Sequence, residues 1–222
     1  MSKKGQTPLW LRVWRRGKSK LKDFRVLCLG RLMRTFRTPR IPANADGKVL
    51  IHIGCGELDD PRYINMDKRK LSHIHLIGDV EDLSPIPKDY ADLIYMCHIL
   101  EHVSHLKLKD ILVNLRERLK DGGVLRISVP DFDKMIHIYR ETGTLAAIIP
   151  PLMGGQGYPE NYHASVFTAE YLTKLLTEAG LNSVREWDPA SAEYHDFDDW
   201  SGRLYAVGGR QFPISLNLEA IK

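Results

Sequence analysis

The chain has 222 residues, of which 43% are hydrophobic, and carries a formal net charge of +4. This length and composition predict one hydrophobic core, and therefore one domain with appended segments. Its three cysteines are odd in number and lack CxxC spacing, which predicts free thiols in a reducing compartment and no structural zinc. No apolar run approaches the roughly 18 residues of a membrane span, and no signal peptide is recognisable, so we expect a cytoplasmic protein.

The small net charge conceals two regions of opposite charge. Residues 1–40 contain 13 Lys/Arg and one acidic residue, Asp23, whereas the remainder has 19 basic and 27 acidic residues. A basic arm in front of an acidic body indicates an anionic partner for the arm, such as lipid headgroups or RNA. A solvated leader or a docking helix explains such a charge run equally well.

The arm also has the pattern of an amphipathic helix. Apolar side chains recur at steps of three and four residues, namely Leu21, Phe24, Cys28, Leu32 and Phe36. Upstream, tryptophans alternate with arginines over residues 10–16, a composition suited to the inner membrane surface. The helix could equally pack on the following domain or on a second protomer of a homodimer. Prolines and a glycine in 39–47 predict a linker, so we divide the chain into an arm, 1–42, and a domain, 43–222.

The domain begins with the passage that is most informative about a ligand. An aliphatic run, 49–53, ends at Gly54-Cys55-Gly56, and a second short apolar segment ends at Asp67. A buried strand that leads into a tight glycine turn lets the backbone approach a ligand, because glycine has no Cβ. An aspartate at the tip of the next strand can accept hydrogen bonds from both ribose hydroxyls of an adenosine. The passage therefore predicts a nucleoside-cofactor site.

Details of the turn discriminate between nucleoside cofactors. A dinucleotide fingerprint needs a third glycine and a helix whose N-terminus holds a pyrophosphate. Asp59 stands at the third glycine position, and its acidic neighbours would repel phosphate. Only ten residues separate Gly56 from Asp67, which is too short for a full crossover helix. S-adenosylmethionine (SAM) has no phosphate and carries a cationic sulfonium, so the sequence favours SAM over NAD.

From residue 48 onward, short apolar strands alternate with helical patterns, which predicts a parallel sheet with helices on its faces. We place strands near 49–53, 63–66, 74–78, 92–97 and 124–129. Helices are predicted at about 106–119 with a stop at Gly122-Gly123, after the capping residue Asp131, and at roughly 169–179 between Thr168 and Gly180. The segments 184–187 and 203–207 are predicted edge strands that form an antiparallel end.

Residues 145–167 lack clear periodicity. A loop of this length in a compact domain usually has a function. It would lie beyond the carboxyl edge of the sheet, where open α/β sheets bind ligands. We therefore expect a lid or a substrate-binding loop.

Four sequence blocks, in order and with suitable spacing, resemble one family. They are the glycine turn, 51–56; an acidic turn, 78–83; a strand block, 92–103; and a block like "LKPGG", 119–127. Together they resemble the class I SAM-dependent methyltransferases of the type 11 group. The resemblance implies an α/β, Rossmann-like sheet of seven mostly parallel strands with helices on both faces, SAM as the cofactor, and methyl transfer as the activity.

On matching positions, the resemblance implies a set of cofactor contacts around the carboxyl ends of the first four strands. The expected cofactor-binding residues are Gly54, Cys55, Gly56, Met66, Asp67, Asp79, Val80, Cys97 and His98. Asp79 matches the family's acid that binds the adenine amino group, and the segment around Cys97 matches the strand that lines the methionine side.

Other blocks are similar to a narrower group, the small bacterial predicted methyltransferases that are often linked to surface-polysaccharide synthesis. These blocks are 63–67, 126–132, 153–156 and 198–201, and the resemblance covers about residues 48–220. It implies a glycan-type acceptor. Two residues depart from the family pattern: His52 stands where many relatives have an acid, and Asp121 replaces the usual proline.

Methyl transfer from a sulfonium is an in-line displacement on an activated donor, so the protein mainly aligns and desolvates the reactants. A hydroxyl acceptor needs a base within hydrogen-bond reach, whereas a neutral amine does not. We predict His163 as the first candidate base, because its segment should flank the methyl-transfer point. His98 and Asp199 are further catalytic candidates, while His102 is expected to be structural. No metal is predicted, because the acidic run near Asp199 lacks a second spaced group of ligands.

The predicted function is SAM-dependent methylation of a hydroxyl or amine on a small or glycan-type acceptor. One alternative is an RNA methyltransferase or RNA-binding protein that uses the basic arm. That alternative is less favoured, because the domain lacks basic strands interleaved with aromatic residues. The other is a non-catalytic scaffold with this fold, which His52 keeps open.

Overall fold

A computed structural model describes residues 39–158 and 160–222. In this part of the chain, the elements follow in the order β1 (Leu50–Ile53), β2 (Tyr63–Asp67), β3 (Leu76–Ile77), β4 (Ala91–Cys97), α1 (Leu108–Arg118), β5 (Leu119–Pro130), α2 (Phe132–Thr142), α3 (Ile149–Met153), α4 (Ala169–Glu178), β6 (Asn182–Glu186), β7 (Leu204–Val207), β8 (Arg210–Pro213) and β9 (Ser215–Ile221). Short 3₁₀ turns occupy Leu100–His102 and Leu145–Ala147. The predicted arm helix and most of the arm lie outside the described residues.

Seven strands form one sheet in the order β3-β2-β1-β4-β5-β9-β6. Strands β1 to β5 pair in parallel, and β9 runs antiparallel between β5 and β6. The predicted seven-stranded, mostly parallel α/β sheet is therefore confirmed. Because β1 and β4 are central neighbours, the chain segments that follow them meet at the carboxyl edge of the sheet.

One face of the sheet is covered by helices. Side chains that alternate along the strands, such as Ile51 on β1 and Ile94 on β4, pack with Leu112 of α1 and Leu172 of α4 in one continuous apolar core. Helix α4 begins where the sequence predicted, since the Thr168 side chain accepts a hydrogen bond from the Tyr171 amide.

The opposite face is covered differently in the described part of the chain. Leu50, Tyr63 and Tyr95 pack against Trp187 and an extended segment that includes Phe197, with no helix between them. The ten residues between the glycine turn and Asp67 form turns rather than a helix, as the short spacing predicted.

Three sequence predictions on strands need correction. The segment predicted as an edge strand at 203–207 belongs to β7, which pairs with β8 in a separate hairpin. The antiparallel strand of the sheet is β9, which was not predicted. The glycines predicted to stop α1 lie within β5, since α1 already ends at Arg118, and Gly123 approaches the Ala91 carbonyl too closely to carry a side chain.

The predicted lid, 145–167, is partly ordered into secondary structure. It contains a 3₁₀ turn and the short helix α3 before an irregular stretch that leads to α4. Among the residues that the structure describes, no helix combines the length and the apolar character that a membrane crossing requires.

Candidate functional site

The glycine turn after β1 is fixed to the end of β2 by hydrogen bonds. The Gly54 amide donates to the Met66 carbonyl at 2.8 Å, and the Gly56 amide donates to Oδ2 of Asp67 at 2.9 Å. Both glycines have positive φ angles, +70° and +63°, and residues with a side chain rarely adopt such values. A Cβ at Gly54 would also overlap the Ile99 side chain. The turn thus requires glycine for its conformation and for its contact with the segment after β4.

Asp67 is buried at the tip of β2, where the sequence predicted it. Its carboxylate accepts hydrogen bonds from the amides of Gly56 and Arg69 and from Nε of Arg69 at 3.1 Å. The Arg69 guanidinium therefore lies on the carboxylate that a ribose would use. Because 47% of the Arg69 side chain is exposed, it can leave without unpacking the core.

The other predicted cofactor residues of this region surround the same edge. Met66 is fully buried, and Cys55 packs with Leu71 in a small apolar cluster. Burial raises the pKa of the Cys55 thiol, and the nearby Asp67 carboxylate raises it further, so the thiol stays protonated at neutral pH.

Asp79 and Val80 follow β3, the neighbour of β2. The Asp79 carboxylate accepts hydrogen bonds from the amides of Glu81 and Asp82 and pairs with Lys68 at 2.9 Å. Val80 is buried beside it. The carboxylates of Asp67 and Asp79, the apolar side chain of Val80 and the close backbone approach at the glycine turn fit the adenosyl part of SAM.

Cys97 and His98 stand at the carboxyl end of β4, next to the glycine turn. His98 has φ of +53°, an uncommon value for a residue with a side chain. Its Nε2 lies 2.8 Å from Oγ of Ser215, and that hydroxyl donates its own hydrogen to the Trp200 carbonyl at 2.6 Å. Nε2 of His98 must therefore be the donor to Ser215, which leaves the Nδ1 lone pair free. Burial of Cys97 raises the pKa of its thiol.

The free Nδ1 of His98 faces a buried carboxylate. Oε1 of Glu101 lies 3.4 Å from this nitrogen, and neither oxygen of Glu101 has a hydrogen-bond donor in the described structure. Burial lowers the pKa of His98 to about 3, with a further contribution from His163, and burial raises the pKa of Glu101 to about 8. The Glu101 side chain, 1% exposed, was not predicted as a site residue.

Two further histidines approach Glu101 from the turn after β4 and from the lid. Nδ1 of His102 lies 3.0 Å from the Tyr162 carbonyl, and Nδ1 of His163 lies 2.9 Å from the Pro151 carbonyl. The two rings are 5.0 Å apart in an edge-to-face arrangement. Burial lowers the pKa of His163 to about 4, with His102 contributing, so His163 is neutral at neutral pH.

The structure thus brings His98 and His163 together around Glu101. It adds Glu101 and His102, which sequence reasoning did not select. The spacing His98-x-x-Glu101-His102 on one short turn was the signal that could have identified them, because it directs three polar side chains from a single turn.

Asp199 lies in a different environment, on the sheet face where Tyr95 packs with Trp187 and Phe197. Its carboxylate accepts hydrogen bonds from the Tyr95 hydroxyl and from the amide and hydroxyl of Ser201, and it lies 3.5 Å from Nε2 of His195. Although burial opposes the shift, hydrogen bonds from His195, Ser201 and Tyr95 hold the pKa of Asp199 below its usual range. The next residue, Trp200, lies against the ring of His98 and is the link between the two regions.

His52, the first departure from the family pattern, also faces away from the glycine turn. Its ring packs between Tyr95 and Phe197, and its Nδ1 is buried without a hydrogen bond. Burial lowers the pKa of His52 to about 4, partly opposed by Asp199, so the ring is neutral. The alternation of side chains along β1 places this residue in the aromatic cluster rather than at the cofactor edge.

Comparison with known proteins agrees with this architecture. A model of the family described as "Methyltransferase domain" matches residues 27–186, more than two thirds of the chain. The chain belongs to this methyltransferase family. No curated protein sequence matches significantly.

Two solved structures share the fold at low sequence identity. A SAM-dependent methyltransferase from Archaeoglobus fulgidus has a TM-score of 0.52 and 16% identity, covering 88% of this chain and 93% of its own. A Thermotoga maritima protein, titled a SAM-dependent methyltransferase and "possible histamine N-methyltransferase", has a TM-score of 0.50 and 15% identity, covering 96% of this chain and 100% of its own. The family makes this chain a methyltransferase, and both structures show that it shares the fold of proteins titled SAM-dependent methyltransferases.

Proposed function

We propose that this enzyme transfers the methyl group of SAM to a hydroxyl or amine of a small or glycan-type acceptor, with a hydroxyl favoured. The observation that carries the proposal is the concentration of proton-accepting groups beside the glycine turn. His98, Glu101 and His163 expose lone pairs to one another at the carboxyl end of β4. A hydroxyl acceptor needs such groups, whereas a neutral amine does not.

We propose for the cofactor residues the roles that the sequence predicted. We propose that Asp67 holds the ribose hydroxyls, with Arg69 moving aside, and that Asp79 and Val80 contact the adenine. Gly54, Cys55 and Gly56 would lie against the amino-acid end together with Cys97 and His98, while Met66 supports the turn from below. When bound, SAM supplies a methyl group already activated for displacement.

The residues of this chain orient the acceptor, exclude water and take up a proton. We propose Nε2 of His163 as the atom that faces the acceptor hydroxyl, because Nδ1 is engaged by the Pro151 carbonyl. We propose Asp199 as a residue that orders the loop beneath Trp200 rather than as an acceptor contact, because its hydrogen bonds go to the protein's own donors.

The glycan-type acceptor is supported by the side chains that border the cluster. Tyr158, Tyr162 and Trp200 are each more than 40% exposed. Aromatic surfaces with a few directed polar groups suit ring-shaped ligands. The narrower sequence resemblance supports a role in polysaccharide synthesis, and both remain part of this proposal.

The partners of the arm belong to the proposal as well. Contact of residues 1–40 with an anionic membrane surface, with another protein or in a homodimer stays a prediction, because almost all of these residues lie outside the described ranges. The domain boundary near residue 42 and a cytoplasmic location also stay predictions.

The test is methyl transfer from radiolabelled SAM to a panel of acceptors. The panel contains free and nucleotide-linked sugars, their amino-sugar counterparts and a structured RNA, and product and S-adenosylhomocysteine are both quantified. We expect labelled product with hydroxyl-bearing sugars and none when those hydroxyls are blocked. Transfer only to RNA, steeply dependent on salt and lost without residues 1–40, would instead support the RNA alternative. A folded protein that binds no SAM would support the scaffold.

A further inference from the structure

We propose that Glu101, His102 and His163 bind a divalent first-row transition metal ion at the point where the lid meets the carboxyl end of β4. This site goes beyond the sequence expectation of no metal. Its part in the reaction rests on the proposed function, but the binding of the ion does not. Two imidazole nitrogens and one carboxylate favour ions such as Mn²⁺, Fe²⁺, Co²⁺ or Zn²⁺ over Mg²⁺ or Ca²⁺.

The ligand atoms already converge. One nitrogen from each histidine and one oxygen of Glu101 lie within 4.8 Å of one another. Nε2 of His102 is 4.0 Å from Oε1 of Glu101. Bonds of about 2.0–2.2 Å to a common ion place ligand atoms roughly 3–4 Å apart. Small side-chain rotations therefore complete the site.

Both histidines are held in the tautomer that a metal requires. A carbonyl oxygen can only accept a hydrogen bond, so Nδ1 of His102 and Nδ1 of His163 must carry the hydrogens that point at the Tyr162 and Pro151 carbonyls. The lone pairs are then on the Nε2 atoms. Histidines that ligate metals are commonly oriented by such a bond from the other ring nitrogen.

Glu101 supplies the second, independent observation. Its carboxylate is 1% exposed and neither oxygen receives a hydrogen bond in the described structure. A buried carboxylate without a donor is costly unless it is paired with a cation or coordinates one. The chain nevertheless places this group between two histidines whose lone pairs, rather than hydrogens, are available.

The contact between His98 and Glu101 also indicates a missing positive charge at Glu101. The Nε2–H group of His98 donates to Ser215, so a third lone pair, on Nδ1, faces Oε1 of Glu101 at 3.4 Å. Two acceptor atoms at this distance repel each other unless Glu101 keeps a proton or a cation lies near them. A cation on Glu101 removes this repulsion.

The location gives the ion a place in methyl transfer. Ile99, two residues before Glu101, contacts the glycine turn. The Glu101 carbonyl accepts hydrogen bonds from the amides of Ala164 and Ser165 in the lid. Three protein ligands leave a coordination position open to an acceptor oxygen. With the ion bound, Nε2 of His163 is a ligand and no longer a base, so a hydroxyl in the open position would lose its proton to solvent instead. Its oxygen then bonds to the methyl carbon as the carbon–sulfur bond breaks and the electron pair goes to sulfur.

The test measures metal binding without catalysis. The full-length protein is stripped with a chelator, dialysed and titrated with Co²⁺, followed by its visible absorption, and with Mn²⁺, followed by the loss of the free-ion EPR signal. We expect one ion per chain. Removing a ligand by Glu101→Gln, His102→Gln or His163→Gln should weaken binding by at least about 10-fold, the lower range seen even for residues that only orient ligands.

His105→Gln is the matched control, since His105 is an exposed histidine three residues after His102. Its binding should equal that of the unaltered protein. The proposal is overturned if the protein binds no ion stoichiometrically, if the three variants bind as well as the unaltered protein, or if His105→Gln loses as much affinity as they do. Circular dichroism checks folding, and His163→Gln, on a half-buried lid residue, is the variant least dependent on core packing.

Calorimetric titration of the metal-free protein with SAM separates this inference from the proposed function. Normal SAM binding by a protein that takes up no ion in the metal titrations would reject the metal site and leave the methyltransferase proposal intact. Ion binding in a folded protein that does not bind SAM would do the reverse.

Discussion

Two clusters in this molecule contain the same kinds of residue but differ in how their hydrogen bonds are satisfied. In the cluster around Asp199, the carboxylate receives hydrogens from Tyr95 and Ser201, and Nδ1 of His195 meets the Pro189 carbonyl. In the cluster around Glu101, the carboxylate receives none. The comparison teaches that histidine and carboxylate content does not distinguish the two clusters, whereas the supply of hydrogen-bond donors to the carboxylate does.

The physical origin of the difference is the direction of the donors. Around Asp199, hydroxyl and amide hydrogens point inward, so the loop closes on itself and covers a face of the sheet. Around Glu101, the hydrogens of His102 and His163 point outward to lid carbonyls. The first cluster stabilises the fold, and the second keeps its lone pairs available to something that the chain does not supply.

We expect the largest change in the free energy of unfolding when the hydrogen-bonded cluster around Asp199 is disrupted. Asp199→Ala leaves the Tyr95 hydroxyl and the amide and hydroxyl of Ser201 without their shared acceptor. We expect the free energy of unfolding to fall by about 3–5 kcal/mol, the usual cost of removing one partner from a buried charged network. Denaturant unfolding measures this change. SAM affinity measured well below the melting temperature should be unchanged, and a stable variant that loses activity would instead return Asp199 to the catalytic group.

An intermediate effect is expected at the cofactor edge, which neither cluster contains. Asp67→Ala should weaken SAM binding by roughly 1.5–3 kcal/mol, because a charge-assisted hydrogen bond to the ribose is lost. Isothermal titration calorimetry measures the change. Asp121→Ala, at a fully exposed side chain, is the control and should bind SAM normally. Unchanged affinity in folded Asp67→Ala would remove the ribose assignment.

The third prediction concerns the cluster around Glu101, where the change in the free energy of unfolding depends on pH. Burial raises the pKa of Glu101 in the folded, metal-free protein to about 8, above the ordinary glutamate value of 4.5. Between these values the unfolded chain releases a proton that the folded chain retains, so this group makes stability fall as pH rises from 5 to 8. Glu101→Gln removes that dependence.

We therefore expect metal-free Glu101→Gln to be close to the unaltered protein in stability near pH 5 and to exceed it by at least about 1 kcal/mol at pH 8 to 9, because linkage gives about 1.4 kcal/mol for each pH unit between the two pKa values. Denaturant unfolding across this pH range measures the difference. A variant that is less stable than the unaltered protein at pH 8 would mean that Glu101 is paired as well as Asp199 is, and the contrast between the two clusters would disappear.

Local signals predicted local structure well. The caps at Asp131 and Thr168, the glycine turn and the acid at the tip of β2 each follow from a side chain that acts within a few residues, and all four lie where the sequence indicated. The helix-free crossover after Gly56 followed from its length alone.

Non-local features were missed. The insertion of β9 between β5 and β6 depends on pairing with Val124 and Arg185, far away in sequence, and no local pattern encodes it. The β7–β8 hairpin did have a signal, Gly208-Gly209, both with positive φ between two short strands. The spacing His98-x-x-Glu101-His102 could mark Glu101 as a polar residue on a turn, but its burial and its missing donors arise from tertiary packing, which no local pattern encodes.

The attachment of the lid to the turn after β4 bears on the order in which substrates bind. The Glu101 carbonyl holds the amides of Ala164 and Ser165, and Ile99 of the same segment rests on Gly54. A ligand that orders the glycine turn therefore also orders the segment Ile99 to Glu101, to which the lid is hydrogen-bonded. We expect an ordered kinetic mechanism in which the methyl donor binds first. The acceptor's Michaelis constant should then rise when the contact between this segment and the lid is weakened.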